Sequence, residues 1–388
     1  MEVMVRRDRN HPSIIIWSVC NENLCHSDHV VDDARRLQDL AHRLDPLMGR
    51  LVSANYNEFN GNKTPMDLMG FDYGPEMYDR WHAEAPWKPS ISSETSSAYS
   101  DRGLVQNDPK TGHVRDYDTE HPSWGQTAQV AWQAILRRPF VAGGFTWTGW
   151  DYRGEPTPYA WPDVSSHFGI LDMAGFWKHR AHWYHACWTS ASPPALHLLP
   201  HWNWAENQTV EVWAYSNVEE VELIHPSGSS MGRRFPVAGN CSHFEWPEVR
   251  FQAGSLRARG YVNGQVVAMT SVSTTGPASA LRVAFKDGLG AVPKSKEVAL
   301  ISIEVVDQHG NLVPTASNVI TVTGLAGATV LGTCSGDPAD QVPNASPWRN
   351  AFGGRLLAVA RAAPGARLAV TSPGLPTAEL QWPSTLVV

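Results

Sequence analysis

Apolar and polar positions change their period along the chain, and this change divides it into two parts. In residues 1–190, short apolar runs alternate with stretches in which apolar residues recur every three or four positions. A short apolar run predicts a buried strand, and the longer spacing predicts an amphipathic helix. Beyond residue 200 the apolar positions recur at every second residue, which is typical of strands with one buried face. The pattern therefore predicts an α/β part followed by an all-β part.

Alternation of strands and helices in the first part predicts a parallel sheet. The predicted strands are Ile14–Val19, Leu51–Tyr56, Leu68–Tyr73, Pro89–Ser93 and Phe140–Trp147. Glu, Tyr and Trp residues stand at the C-terminal ends of these runs, where a (β/α)8 barrel carries its active site. Such a barrel needs eight strands, so five predict the second portion of one, residues 1–190.

The second part predicts two β-sandwiches, because short alternating runs are separated by Gly, Pro, Asn and Asp. We place the first sandwich at residues 197–275 and the second at residues 278–388. Ser190–Pro200 is the predicted linker after the α/β part, and the turn-rich stretch Ser273–Pro277 joins the two sandwiches.

Composition excludes some partners and favours another. The chain has 388 residues, a formal net charge of −7 and 17 Trp. No run of eighteen apolar residues is present, so we predict no membrane partner. No basic run is present either, so we predict no nucleic-acid partner. Tryptophan faces suit the apolar faces of sugar rings, which favours a carbohydrate substrate. The first ten residues are polar. We leave the location open between the cytoplasm of a bacterium, its periplasm and secretion from the cell.

The cysteines carry little information. There are five, and they are widely spaced: Cys20, Cys25, Cys187, Cys241 and Cys334. An odd number without a C-x-x-C pair predicts neither a disulfide framework nor a zinc site. We therefore expect reduced cysteines and no metal ligands.

Two strand ends carry carboxylates. In Arg7–Glu22 an apolar run ends in Asn21 and Glu22, and in Ile91–Ser97 a run ends in Glu94 among small residues. Two facing carboxyl groups can hydrolyse a glycosidic bond when one is protonated and the other ionised. Burial and mutual repulsion can separate their pKa values to supply both states at one pH. A separation of about 5–5.5 Å would give a reaction that retains the anomeric configuration.

These motifs resemble glycoside hydrolase family 2, and specifically its β-galactosidase branch. The resemblance covers nearly the whole chain and includes Gly143–Tyr159, which is similar to the last barrel strand and its loop. It implies strands 4–8 of a TIM barrel followed by two immunoglobulin-like sandwiches. It also implies that Glu22 is the acid/base and Glu94 the nucleophile.

The resemblance further implies substrate-binding residues: Asn21, Tyr73, Trp147 and Asp151. Asn21 would bind a sugar hydroxyl, Tyr73 would hydrogen-bond the nucleophile, and Trp147 would form the floor of the sugar site. Two roles are considered for Asp151: it contacts sugar hydroxyls, or it supports its loop. No cofactor is predicted, and a divalent metal of the full-length enzymes finds no support in this sequence.

The chain departs from the family pattern in two ways. Asp72 replaces a usual Asn and adds an acid near Tyr73 and Glu94, and Cys20 replaces a usual Gly. The resemblance begins in the helix before the fourth barrel strand, so barrel strands one to three and the domains before them lie outside it. We therefore expect a truncated product or a partner that completes the barrel, either a homo-oligomer or a complementing N-terminal part.

The function implied is that of a retaining exo-β-galactosidase acting on a terminal β-galactoside. β-Glucuronidase and β-mannosidase of the same family are the alternatives. Family glucuronidases carry an Asn-x-Lys element, and Asn62–Lys63 has the wrong spacing and place for it. An alternative of another class is an inactive fragment whose sandwiches serve as binding or interaction modules.

Overall fold

A computed structural model describes residues 1–22, 28–56, 66–237, 241–286 and 298–383. Contacts divide the chain into two compact units. Unit 1 contains residues 1–99 and 118–148, and unit 2 contains residues 100–117 and 149–388. Among the residues described, none of the helices combines the length and the apolar character that crossing a membrane requires.

Unit 1 is a parallel sheet with helices packed against it. Its helices are α1 (Glu2–Asp8), α2 (Asp28–Leu44), α3 (Met77–Glu84) and α4 (Ala128–Leu136). Its strands are β1 (Ile16–Asn21), β2 (Leu51–Tyr56), β3 (Leu68–Asp72), β4 (Ser90–Ser96) and β5 (Val141–Trp147). The strands lie side by side in chain order and all pair in parallel.

The core of unit 1 forms because the apolar faces of the helices cover the sheet. Phe71 of β3 packs edge-on against Trp81 of α3, with ring centroids 6.3 Å apart, and tilted against Tyr78 at 5.3 Å. All three rings are buried. The N-terminus of α4 is held by Thr127, whose hydroxyl accepts the Val130 N–H, as expected of an N-cap residue. These contacts fix the strand ends on which the candidate site depends.

Unit 2 contains α5 (His179–Trp188) and fifteen strands in the described residues. The first group is β6 (Leu196–Leu199), β7 (Thr209–Ser216), β8 (Glu220–Ile224), β9 (Ser230–Arg234), β10 (His243–Arg250), β11 (Ser255–Val262) and β12 (Gln265–Ser273). It forms two antiparallel sheets, ordered β10-β7-β6 and β12-β11-β8-β9.

The second group of strands follows directly. It comprises β13 (Ala280–Phe285), β14 (Val298–Val306), β15 (Val319–Leu325), β16 (Ala328–Cys334), β17 (Trp348–Asn350), β18 (Arg355–Ala362), β19 (Arg367–Thr371) and β20 (Ala378–Gln381). Its two antiparallel sheets are ordered β13-β14-β18-β16 and β17-β15-β19-β20. One apolar core, containing Ile301, Val322 and Leu368, lies within this group.

The predicted fold class is confirmed: a parallel α/β part precedes antiparallel sheets of sandwich type. The contacts assign residues 149–190 and 100–117 to unit 2, whereas the sequence grouped them with the barrel part. The predicted domain limits of 190, 197–275 and 278–388 stay predictions.

The expectation of reduced cysteines is wrong for Cys187 and Cys241, and also for Cys20, which is disulfide-bonded. Cys187 and Cys241 form a disulfide in unit 2, with Cα atoms 5.6 Å apart. They are separated by 54 residues, so their proximity depends on tertiary structure and not on spacing. Cys334 is a free cysteine, as expected.

Candidate active site

The ends of β1, β3 and β4 carry unusual backbone conformations. Glu22, Tyr73, Ser96 and Ser97 have positive φ angles of 50°, 61°, 75° and 53°. Positive φ is uncommon outside glycine and tends to occur at functional sites. Backbone hydrogen bonds hold these turns: the Tyr73 N–H donates to the Glu94 carbonyl at 2.8 Å, and the Glu22 N–H donates to the Asn55 carbonyl at 3.0 Å.

Three carboxyl groups meet where these strands end. One oxygen each of Glu22, Asp72 and Glu94 lies within 4.8 Å of the other two. We call these three residues the acid cluster. Carboxylates this close cannot all be ionised without strong repulsion. This closeness suits either a proton donor beside an ionised nucleophile or the oxygen ligands of a cation.

Glu94 is the member whose ionised form receives hydrogen bonds. The Tyr73 hydroxyl donates to Glu94 Oε2 at 3.0 Å and itself accepts from the Ser97 hydroxyl at 2.6 Å. Burial raises the pKa of Glu94, while the Tyr73 hydroxyl and the Asn21 side chain both lower it and Glu22 raises it. Burial also raises the pKa of Tyr73, so its phenol stays protonated and donates. The net effect is a raised pKa of Glu94, with Tyr73 and Asn21 stabilising its ionised form.

Glu22 stands in a different environment. Burial raises its pKa, and the described residues supply no hydrogen bond that favours the ionised form. A carboxyl group in such surroundings keeps its proton to higher pH. The pKa of both glutamates is raised, and the two differ in that side-chain hydrogen bonds oppose the shift at Glu94.

The third acid, Asp72, lies deeper than the pair. Its side chain is completely buried, and the Ser93 hydroxyl donates to Oδ1 at 2.5 Å. Burial, opposed by the Ser93 hydroxyl and aided by the charges of Glu94 and Glu22, raises the pKa of Asp72 to about 7. Gly70 leaves room beside it, because a Cβ there would meet Asn55 Oδ1 at 2.5 Å and Ser93 Oγ at 2.8 Å.

The structure brings most predicted site residues together within unit 1. Asn21 ends β1, where its Oδ1 accepts from Asn55 Nδ2 at 3.2 Å and its side chain reaches Glu94. Trp147 ends β5 and pairs in register with Ser96, two residues after Glu94. Their binding of substrate stays a prediction.

Asp151 lies in unit 2, and its carboxylate is buried. Lys178 Nζ lies 2.7 Å from Asp151 Oδ2, and the Gly169 N–H donates to Oδ1 at 2.8 Å. This ion pair holds the loop that carries Asp151. It therefore favours a role in supporting the loop over contact with sugar hydroxyls. Lys178 is the partner that the sequence could not identify, since it is 27 residues away.

Sequence reasoning missed three residues that position the acid cluster: Asn55, Ser93 and Ser97. Asn55 lies near the C-terminal end of β2, where the rule that barrel active sites gather at strand ends would have found it. Ser93 and Ser97 flank Glu94 in the Ser-rich stretch, but nothing in that stretch distinguishes positioning serines from space-filling ones.

Models of two known protein domains match the chain, one over its α/β part and one near its C-terminus. Residues 1–160 match the TIM barrel domain of glycosyl hydrolases family 2, and residues 291–381 match glycoside hydrolase family 2 C-terminal domain 5. Residues 207–268 match a domain of unknown function. The chain belongs to glycoside hydrolase family 2. In that family context, the parallel sheet of unit 1 is part of the TIM barrel domain.

Individual relatives agree with the family but differ in their named substrates. A β-galactosidase from Bacteroides ovatus is 32% identical over 97% of this chain and 50% of its own length. A β-glucuronidase from Formosa agariphila is 24% identical over 81% of this chain and 32% of its own. A β-glycosidase structure from Bacteroides vulgatus superposes with a TM-score of 0.81 at 26% identity, over 97% of this chain and 52% of that one. The chain thus spans between about a third and a half of the length of these relatives.

Proposed function

We propose that this chain carries the catalytic carboxyl groups of a retaining exo-β-glycosidase, and that its substrate is a terminal β-galactoside. The observation that carries the proposal is the closeness of Glu22 and Glu94, whose oxygens lie within 4.8 Å. Retaining glycosidases separate their two carboxyl groups by about 5–5.5 Å, whereas inverting enzymes need about 6.5–9.5 Å to admit a water.

The reaction proceeds in two displacements. Glu94 attacks the anomeric carbon while Glu22 gives its proton to the glycosidic oxygen, so the alcohol leaves and a glycosyl ester forms on Glu94. Glu22, now ionised, takes a proton from water, and the hydroxide attacks the anomeric carbon and releases Glu94. The surroundings of the two glutamates support these roles, since Tyr73 and Asn21 stabilise the Glu94 anion and burial raises the pKa of Glu22.

The choice of galactoside rests on similarity and on one absence in the sequence. The relative at 32% identity over 97% of this chain is named a β-galactosidase, whereas the β-glucuronidase from Formosa agariphila matches at 24% over 81%. Family glucuronidases use an Asn-x-Lys element, and the sequence shows none after Trp147. β-Glucuronidase and β-mannosidase are the alternatives that the experiment below must reject.

Completion of the barrel belongs to the proposal. The parallel sheet of unit 1 has five strands, and a closed barrel of this family has eight. We propose that further strands, supplied by a complementing N-terminal part or by assembly, close the barrel around the acid cluster. Without them, β1 and β5 present unpaired edges.

The direct test is hydrolysis of aryl β-glycosides by the purified chain, comparing galactoside, glucuronide and mannoside. We expect galactoside to be preferred and Glu94→Gln to abolish turnover, because the amide cannot act as a nucleophile. Glu84→Gln is the matched control, because Glu84 lies on the surface in an ion pair with Arg80 and should not affect turnover.

Two outcomes would contradict different parts of the proposal, namely the choice of sugar and the activity of the chain by itself. Preference for the glucuronide or the mannoside would overturn the choice of sugar and leave the catalytic pair standing. No turnover of any sugar would show that the chain alone lacks a working site. The proposal would then require the missing strands, and the inactive fragment with binding sandwiches would be the better description of the chain by itself.

A further inference from the structure

Asp72 is an acid in a place where its charge has no compensation. It ends β3, its side chain is fully buried, and its Oδ2 has no hydrogen-bond partner in the described part of the chain. An ionised carboxylate left in such a place is costly, and buried acids usually avoid the cost by taking up a proton. The usual compensations are a cation or several N–H donors.

No such compensation reaches Asp72 from the described elements around it. The charged groups that face it are Glu94 from β4 and Glu22 from the end of β1, both acidic. The neighbouring strands β2 and β5 contain no charged residue. The phenol of Tyr73, next in the chain, stays neutral.

Helix α3 packs on the other face of β3, and its charged side chains are engaged elsewhere. Asp79 pairs with Arg138, Arg80 pairs with Glu84, and the His82 ring stacks on Phe140. None of them faces Asp72 across the sheet. The Ser93 hydroxyl is thus the hydrogen-bond donor to this carboxyl group among the described residues.

We propose that Asp72 carries a proton on Oδ2 and acts as a positioning residue that keeps the acid cluster at a single negative charge. The oxygen is assigned by the hydrogen bonds, since Oδ1 already accepts from Ser93 and Oδ2 has no partner. The inference rests on the proposed function for the roles of Glu22 and Glu94. The raised pKa of Asp72, about 7, agrees with it.

A neutral Asp72 gives the cluster the same charge before and after the first displacement. In the resting state Glu94 is the anion, while Glu22 and Asp72 are protonated. In the glycosyl-enzyme Glu94 is a neutral ester, Glu22 is the anion, and Asp72 still holds its proton. One oxygen of the Asp72 carboxyl group lies within 4.8 Å of an oxygen of each glutamate, so a protonated Asp72 adds no charge beside whichever of them is ionised. An ionised Asp72 would add a second charge to both states.

The first measurement is the pH dependence of stability in Asp72→Asn and in a matched control, Asp45→Asn. Asparagine is the neutral mimic of protonated aspartic acid. Asp45 is also buried in unit 1, but it is ion-paired with Arg50 at 2.6 Å, and its pKa is lowered. Unfolding of the full chain is followed through hydrogen exchange of the β3 and β4 amides, which reports on unit 1 alone.

The direction in which folding stability should change with pH follows from proton binding. Between about pH 5 and 6.5 the folded chain holds a proton on Asp72 that the unfolded chain has lost, so the wild type loses stability as pH rises. Relative to Asp72→Asn, its unfolding constant should rise about tenfold per pH unit in this range and level off above pH 7. The ratio for Asp45→Asn should stay constant. A constant ratio for Asp72→Asn as well would show that Asp72 is ionised throughout, and would overturn the proposal.

The second measurement is spectroscopic and does not depend on how well a variant folds. In wild-type chain labelled with ¹³C at aspartate carboxyls, Asp72 should titrate with a midpoint near pH 7. In Glu94→Gln the midpoint should fall, because one of the charges that raises it is gone. A midpoint near pH 4, or the same midpoint in both proteins, would contradict a role in the charge of the cluster.

These readouts separate the two proposals. Neither needs turnover, so an inactive chain with a protonated Asp72 would count against the proposed function alone. An active chain with an ionised Asp72 would count against this inference alone.

Discussion

Unit 1 and unit 2 each bury a group of titratable side chains, and the groups respond to pH in opposite directions. In unit 1 the acid cluster brings together Glu22, Asp72 and Glu94. In unit 2 a histidine cluster brings together imidazole rings: His179, His182, His197 and His201. His182 stacks on His197 with centroids 3.6 Å apart, and His179 Nδ1 lies 2.8 Å from His197 Nε2. Both clusters favour the neutral form, which raises the pKa of an acid and lowers that of a base.

The comparison teaches that charge compensation opposes the effect of burial on the pKa of a buried group, in full at Asp45 and only in part at Asp151. Burial lowers the pKa of His182 to about 3 and that of His201 to about 4, and Asp116 opposes the shift at His182 only in part. Elsewhere in both units a buried acid has an arginine beside it. Asp172 lies 2.5 Å from Arg102 in unit 2, and Asp45 lies 2.6 Å from Arg50 in unit 1.

Asp172→Asn should therefore have the largest effect on folding stability. At pH 8 it should lower the stability, whereas Asp72→Asn should raise it. The change leaves the buried Arg102 guanidinium without its counterion, and breaking a buried pair in this way costs about 3–5 kcal/mol. We expect unit 2 to lose that much stability in urea at pH 8. The control is Glu379→Gln in the same unit, whose exposed pair with Arg367 should contribute less than about 1 kcal/mol. Equal losses in the two variants would refute the distinction between paired and unpaired acids.

Removing the disulfide should destabilise unit 2 and leave unit 1 unchanged. The Cys187–Cys241 bond closes a loop of 54 residues, and disulfides of this kind contribute about 2–4 kcal/mol by restricting the unfolded chain. The test is the double change Cys187→Ser, Cys241→Ser, with Cys334→Ser as control because Cys334 is free. Hydrogen exchange should show faster opening of β10 and α5 amides only in the double variant. The same bond predicts that the chain folds in an oxidising compartment.

Acid should destabilise unit 2 through the histidine cluster. The folded-state pKa of His182 lies below its unfolded value, so its contribution is complete above about pH 6.5 and is lost as pH falls. At pH 4.5 one such histidine lowers stability by about 2–3 kcal/mol. His182→Gln should reduce the acid sensitivity of unit 2 melting by a comparable amount. His185→Gln, at an exposed position on the same helix, should not alter it. Equal acid sensitivity in both variants would exclude His182 as a cause.

Tyr73→Phe should have the smallest effect and act on the acid cluster alone. It removes the hydrogen bond to Glu94 but keeps the ring, and one hydrogen bond to a charged group contributes about 1.5–3 kcal/mol. In a preparation that hydrolyses glycosides, kcat/KM should fall by at least about tenfold. Because Tyr73 lowers the pKa of Glu94, the acidic limb of the pH profile should also move to higher pH. An unchanged profile would show that Tyr73 does not stabilise the nucleophile as an anion.

Much of the architecture was predictable because it depends on local patterns. The five apolar runs became β1 to β5, and the carboxylates at two of their ends met as expected because parallel strands end at one edge of a sheet. The protonation of these groups was not predictable in the same way. The neutral state of Asp72 depends on Ser93, Glu94 and Glu22, which reach it from other strands. The disulfide likewise joins residues whose sequence spacing carries no signal.

The most direct test of the central claim, that Glu94 is the nucleophile and Glu22 the acid/base, is the anomeric configuration of the product after azide rescue. Glu22→Ala and Glu94→Ala are each incubated with an activated aryl β-galactoside and azide, and the galactosyl azide is identified by NMR. We predict β-galactosyl azide from Glu22→Ala, because azide attacks the intermediate on Glu94, and α-galactosyl azide from Glu94→Ala, because azide replaces the nucleophile itself. The reverse pair of products would contradict the assignment of both glutamates.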